Sequence, residues 1–169
     1  MTASEPQRPP ARGTATPVEC GYIVDGVWEY CSGIPYASHF IGGARHAYEL
    51  IVTAFAAADR ATLKPLLSNE VYAAFDGVMK GREERHEKVS FTFVGFKELS
   101  IAAAELKGRM ADVTVSFQSQ FISATMDANG VVIDGDPKTV RNVTDLWTFE
   151  RDTRASDPNW ALVAPHGEA

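Results

Sequence analysis

The stretch Asp112-Val113-Thr114-Val115-Ser116-Phe117-Gln118-Ser119-Gln120-Phe121 decides the fold. Val113, Val115, Phe117, Ser119 and Phe121 alternate with Asp112, Thr114, Ser116, Gln118 and Gln120, and a period of two sends the two sets to opposite faces of a strand. One apolar and one polar face is the pattern of a long, half-buried strand in an antiparallel sheet. Downstream, Asp127-Ala128-Asn129-Gly130 has the chemistry of a hairpin turn, and Val131 to Ile133 opens a return strand. Gly135-Asp136-Pro137 is expected to break that strand. Beyond it Val143, Asp145, Trp147 and Phe149 share one face, Asp157-Pro158-Asn159 turns the chain, and Trp160 to Val163 forms a last short strand.

Upstream, Phe91, Phe93, Val94 and Phe96 begin the β region, with Gly95 marking a bulge. An Ala-rich piece from Glu98 to Leu106 follows as a second strand, ended by a turn at Lys107-Gly108. Earlier still the period changes to that of a helix. Ala44, Tyr48, Ile51 and Phe55 form one apolar stripe over residues 43–58. Asp59 stops that helix and caps a short one carrying Leu63, Leu66 and Leu67, which Pro65 keeps brief. Ser68 caps a third helix over 69–85, with Glu70 in its first turn and Val71, Phe75, Val78 and Met79 at helical steps. Its end, Arg82 to Lys88, is mostly charged and reads as exposed. Helices followed by a meander of long strands make an α+β fold. The expected architecture is a curved antiparallel sheet wrapped around the helices as a cone, with the helices on its concave face.

At 169 residues, 45% hydrophobic and 22% charged, the chain is one ordinary globular domain able to bury a core. We place that domain over 39–165, behind an irregular or disordered leader at 1–38 and before a tail at 166–169. Met1 to Ala15 lacks the apolar core of a secretory signal, and Tyr22 to Phe40 holds no sustained period, as in a short hairpin or a packed extended arm. Cys20 and Cys31 have the spacing of neither a redox pair nor a zinc framework. No run approaches the roughly 18 apolar residues of a membrane-spanning helix.

A net charge of −6 argues against a bulk electrostatic grip on nucleic acid, and none is expected as a partner. The charge is unevenly distributed. Arg45 to Arg109 carries ten basic and nine acidic residues, whereas four basic face nine acidic residues from Asp112 onward. The helical half is thus near neutral and can approach a lipid surface.

No phosphate-binding glycine loop, nucleophile elbow or metalloprotease helix is present. His39, His46, His86 and His166 are scattered, so neither a metal nor a cofactor is expected. Asp127-Ala128-Asn129-Gly130, with Asp134 and Asp136, lacks the ligands that complete a calcium loop and reads as a turn with solvated acids. Asn142-Val143-Thr144 matches a glycosylation sequon but also fits polar alternation in a strand. The residue in an awkward place is Asp145, on the face of Val143, Trp147 and Phe149. A buried carboxylate needs a donor or a raised pKa. Asp145 could be a general acid or base in an aromatic-walled cone, with Tyr48 or Tyr72 as partner hydroxyl, or it could simply accept structural hydrogen bonds. The inward-facing residues Tyr48, Ile51, Phe55, Phe75, Phe91, Phe93, Phe117, Phe121, Trp147 and Phe149 form the core, and a cone closed on one side can also keep a cavity suited to an apolar ligand. The start of the first helix, with Phe40, Ile41, Ala44 and Tyr48 beside Arg45 and His46, fits either a membrane interface or packing on the sheet.

An ordered series of segments carries a family resemblance. It includes Gly43-Ala44-Arg45-His46-Ala47-Tyr48-Glu49-Leu50-Ile51-Val52, Leu63-Lys64-Pro65-Leu66-Leu67-Ser68, Asp134-Gly135-Asp136-Pro137, Val143-Thr144-Asp145-Leu146-Trp147-Thr148-Phe149 and Asp157-Pro158-Asn159-Trp160-Ala161-Leu162. Over Phe40 to Ala164 the chain resembles the C-terminal domain of the mitochondrial inner-membrane import translocase subunit 44, and its bacterial relatives more closely still. The resemblance implies the cone shared with nuclear transport factor 2 and a large apolar pocket, without enzymatic activity. It implies peripheral attachment to an inner membrane, an acidic phospholipid or inner-membrane protein as partner, and a heat-shock chaperone as a further one. By position, Phe40, Ile41, Arg45 and Tyr48 are expected to face the membrane, and Ile51, Phe55, Phe93, Phe117, Phe121 and Trp147 to line the pocket. Members of the family carry a membrane helix or a presequence, and residues before Ser38 show neither. The rival reading is a small-molecule isomerase or dehydratase using Asp145 and Tyr48.

Overall fold

The computed structural model describes the backbone over residues 12–18, 21–25, 34–39 and 168 and the chain with its side chains over 40–156 and 159–167. Cys20, Cys31 and the Asp157-Pro158 part of the expected turn lie outside the described residues. Three helices, α1 (Ile34–Ala56), α2 (Arg60–Leu63) and α3 (Asn69–Glu84), precede the long strands. These are β3 (Lys88–Lys107), β4 (Met110–Met126), β5 (Val132–Asp152) and β6 (Ala161–Glu168), while β1 (Arg12–Val18) and β2 (Gly21–Asp25) come before α1. The sheet is antiparallel in the order β2-β1-β3-β4-β5-β6. The helices cover one face of the curved main sheet, so the fold is the expected α+β cone.

Capping residues set the helix boundaries. Asp59 accepts hydrogen bonds from the amides of Ala61 and Thr62, and Ser68 accepts one from Val71, satisfying donors that the first helical turn leaves open. Ala58 and His86, both at φ 55°, turn the chain out of α1 and α3. The start of α1 corrects the sequence reading. The helix begins at Ile34, nine residues before Gly43, and runs through Gly42 and Gly43. Glycine lowers helix propensity by about 1 kcal/mol without stopping a helix whose stripe packs. Phe40 and Ile41 continue that stripe onto the core.

The strands depart from the expected punctuation in two places. Phe91 to Phe96 and Glu98 to Leu106 belong to one strand, β3, whose register against β4 shifts near Gly95, Glu98 and Ala103. These bulges bend the strand and so curve the sheet around the helices. Gly135-Asp136-Pro137 likewise does not end β5. Phe121 pairs with Arg141 and Ser123 with Asp136, so five steps on β5 oppose two on β4 and the excess is taken up as a wide bulge. Residues 128–142 are exposed, forming the distal part of the β4–β5 hairpin. The ends differ as well. β1 and β2 occupy part of the stretch expected to be irregular, and β6 continues to Glu168 through the expected tail.

The core sits where the decisive alternation predicts. Val113, Val115, Phe117 and Ser119 are buried on the inner face of β4, against Tyr48 and Ile51 of α1 and Trp147 and Phe149 of β5. The loop between α2 and α3 closes the layer by hydrogen bonding to β6. The Ser68 amide donates to the Leu162 carbonyl at 2.9 Å, and the Leu162 amide donates to the Leu66 carbonyl at 2.9 Å.

Gly135 tests the close pairing beside the bulge, where it faces Ala124 on β4. Its φ of +77° is left-handed, and a Cβ there would stand 2.2 Å from the Ser123 carbonyl oxygen, whereas at Gly108, φ +65°, a Cβ meets open space. Gly108→Ala is expected to cost about 1–2 kcal/mol for the left-handed backbone alone, and Gly135→Ala distinctly more. Urea unfolding of the two variants measures the order, and equal costs would contradict the close approach of Gly135 to β4.

Candidate functional site

Tyr48 is the organising side chain. The helical stripe directs it at the sheet, where it is completely buried. Its ring stacks on Phe117 at 4.5 Å between centroids, meets Trp147 at 4.5 Å, and contacts Phe96 at 5.4 Å. A buried tyrosine needs a partner for its hydroxyl, and the sheet supplies two. The hydroxyl donates to Asp145 Oδ2 on β5 and lies 2.8 Å from Ser119 Oγ on β4. Tyr48 has a single proton and gives it to Asp145, so the Ser119 hydroxyl donates to the Tyr48 oxygen.

Burial pushes the Asp145 carboxyl above the usual carboxylate range, and the bond from Tyr48 partly opposes that shift. The Tyr48 hydroxyl is pushed above its ordinary range, first by burial and then by the hydrogen bond to Asp145, so it keeps its proton. Gly167 pairs with Asp145 across β5 and β6, and a Cβ at Gly167 would come within 2.8 Å of Asp145 Oδ1. The absence of a side chain there gives the carboxylate its room.

Asp145 and Tyr48 also border a cavity of about 330 Å³ between α1, α3 and strands β3 to β6. Of the expected pocket residues, Ile51, Phe55, Phe121 and Trp147 line it. Phe93 and Phe117 do not. Phe117 is sealed in the core, and Phe93 packs against Phe96 at 4.9 Å. The walls add Phe75 and Phe91, already read as inward-facing, and Arg82, which the sequence reading left on an exposed charged end. Arg82 falls seven residues after Phe75 and three after Met79 on the buried stripe of α3, and this spacing is the signal that could have found it. Its guanidinium lies 4.5 Å from the Phe55 ring centre, and Nη1 donates to the Phe55 carbonyl at 3.4 Å. Burial pulls the Arg82 guanidinium below its ordinary range.

The residues expected to face a membrane are split. Phe40 packs edge-on against Trp160 at 5.0 Å, Ile41 is half-buried, and exposed Arg45 places its guanidinium 5.1 Å from the Phe96 ring centre. Tyr48 is withdrawn from any surface, because its hydroxyl is committed to the sheet. Among the described residues no helix is long and apolar enough to cross a membrane, and no group of three or more His, Cys, Asp or Glu could hold a metal ion. The acids of the hairpin are engaged locally. Asp127 accepts from the amides of Asn129 and Val131, and Asp136 from Lys138 and Thr139.

The Asp145 shift has a definite consequence for stability. A carboxyl whose folded pKa is raised contributes stability at low pH that is lost as pH climbs from its unfolded value, near 3.8, through the folded value. Asp145→Asn removes this titration and can keep the bond from Tyr48 through its amide oxygen. Relative to the wild type, the variant is expected to gain stability as pH rises from about 4 to 7. Denaturant melts across that range measure the change, and a constant difference would contradict the burial of an ionisable Asp145.

Comparison with known proteins matches this architecture. Residues 36–166 match the family described as the Tim44-like domain. A probable mitochondrial import inner membrane translocase subunit, tin-44 of Caenorhabditis elegans, is 24% identical over 119 residues, covering 69% of this chain and 28% of that protein. The chain thus spans little more than a quarter of the length of that relative. The crystal structure of the intermembrane space region of the chloroplast protein ARC6 superposes with a TM-score of 0.54 at 13% identity, covering 76% of this chain and 96% of that one, a likeness of fold. With the family match extending from the start of α1 to β6, this chain belongs to the Tim44-like domain family.

Proposed function

We propose that this protein is a non-enzymatic, membrane-peripheral adaptor of an inner membrane, which binds an acidic phospholipid surface or an inner-membrane protein through the start of α1 and the cavity. The observation that carries this reading is the match of the whole helical and sheet domain to the Tim44-like family, which associates with the inner membrane and its import machinery. A heat-shock chaperone is the further partner that the import relationship supports. Phe40, Ile41 and Arg45 form the proposed contact, without Tyr48. Phe40 and Ile41 also pack on the core, so membrane contact uses the parts of them that remain accessible. Exposed Arg45 and His46 beside them favour an anionic surface.

A second reading, a small-molecule isomerase or dehydratase acting through Asp145, is favoured by the position of that carboxyl on the cavity wall beside Tyr48. Against it stands the engagement of both groups with each other. Tyr48 holds its proton above the ordinary range, and Oδ2 of Asp145 is occupied by that hydroxyl.

Co-sedimentation with cardiolipin-containing vesicles tests the membrane reading. Binding is expected at low ionic strength, weakening as added salt screens the surface. Arg45→Glu, at an exposed position, is expected to reduce it several-fold. Absence of binding at low salt would overturn the lipid part of the proposal.

A further inference from the structure

Arg82 sits at the cavity with no carboxylate within ion-pair distance among the described residues. Of the acids around it, Glu83 and Glu87 are held by other arginines, although the charge of Glu87 also reaches Arg82. Glu83 pairs with Arg60 at 2.7 Å, and Glu87 pairs with Arg85 at 2.6 Å. What Arg82 does touch is an aromatic face and one backbone carbonyl, contacts that leave guanidinium donors free for an anion. The opposite end of the cavity has the reverse character. Phe55 marks the Arg82 end and Tyr48 the Asp145 end, and seven residues of α1 at 1.5 Å rise separate them by about 10 Å. The rest of the lining is mainly apolar, with Ile51, Phe91, Phe121 and Trp147 and the single hydroxyl of Ser123.

We infer that the cavity binds a single-chain anionic amphiphile, with its carboxylate or phosphate on Arg82 and its chain running along α1 toward Trp147. The polarity follows from the two ends, because a ligand entering the other way would put its anion against the Asp145 carboxyl. A volume of about 330 Å³ is at the small end of ligand pockets and gives room for one medium-length chain. This inference rests on the lipid-binding reading above, but it concerns a ligand taken from solution rather than docking on a bilayer.

Isothermal titration calorimetry with decanoate, decanol and decyltrimethylammonium, each kept monomeric, tests it. Decanoate is expected to bind, decanol more weakly, and the cationic chain not at all. Arg82→Met keeps an apolar stem of similar length and is expected to weaken decanoate about tenfold while leaving decanol unchanged. Ile51→Trp fills the cavity and is expected to abolish both, with circular dichroism showing that the variant is folded. If that variant does not fold, Arg82→Met alone decides. No binding of decanoate, an unchanged affinity in Arg82→Met, or equal binding of the cationic chain would overturn the site. Decanoyl lysophosphatidate separates the two sources of such an anion. Tighter binding than decanoate assigns a phosphate-headed membrane lipid, and weaker binding a free carboxylate. A protein that binds decanoate in solution yet does not sediment with vesicles keeps this site and loses the membrane reading, and the converse result loses the site alone.

Discussion

A single buried hydroxyl ties the helical layer to the sheet. Tyr48 enters the cone from α1, fills its centre against Phe117 and Trp147, and places its oxygen between Ser119 of β4 and Asp145 of β5. Burying an aromatic ring of this size stabilises the fold by about 1.5–3 kcal/mol. A comparable penalty of about 1–3 kcal/mol would follow if its hydroxyl found no partner. Two adjacent strands must therefore present polar side chains at matching heights on an otherwise apolar face. That requirement accounts for the two exceptions to the apolar patterning, Ser119 on β4 and Asp145 on β5. It also sets their relative position, since Phe117 pairs with Asp145 and Ser119 with Val143 in the β4–β5 register.

The same constraint shapes the cavity. With Tyr48 fixed on the sheet, the second half of α1 and the facing stripe of α3 bridge the remaining concavity through Phe55 and Phe75, whose rings meet at 4.6 Å. The space enclosed below them is bounded by one acidic and one basic group at opposite ends. The bulges of β3 curve the floor, and Gly167 leaves room for the Asp145 carboxylate. A site with this polarity needs no catalytic group to be useful. It would distinguish the two ends of the proposed amphipathic ligand, which suits a domain whose family works at an inner membrane.

Much of this was legible in the residues. The alternation from Asp112 to Phe121 and the stripe of Ala44, Tyr48, Ile51 and Phe55 specify both the element types and the faces they bury, because burial acts directly on periodicity. Asp145 could be singled out because a carboxylate on an apolar face requires an explanation. Its partner stays open in the sequence, between the hydroxyl of Tyr48 or Tyr72 and other structural donors, since the pairing depends on how far α1 slides along the sheet. Punctuation misled where tertiary packing overrode local preference. Gly42-Gly43 sit inside a helix, Gly135-Asp136-Pro137 lie within β5 at the edge of a bulge rather than at a break, and Glu98 to Leu106 join the preceding strand. Arg82 is hidden in the sequence because a charged residue near a helix end normally points to water, and only its helical spacing from Phe75 and Met79 marks it as inward-facing.

The most direct test of this account is a double-mutant cycle between Tyr48 and Asp145. Unfolding free energies are measured at neutral pH for the wild type, Tyr48→Phe, Asp145→Ala and the pair, because alanine, unlike asparagine, leaves no acceptor for the hydroxyl. If the hydroxyl and the carboxyl hold the helix to the sheet, the two substitutions will be non-additive, with a coupling of about 1–3 kcal/mol. Additive effects, with coupling near zero, would contradict the central role given to this bond.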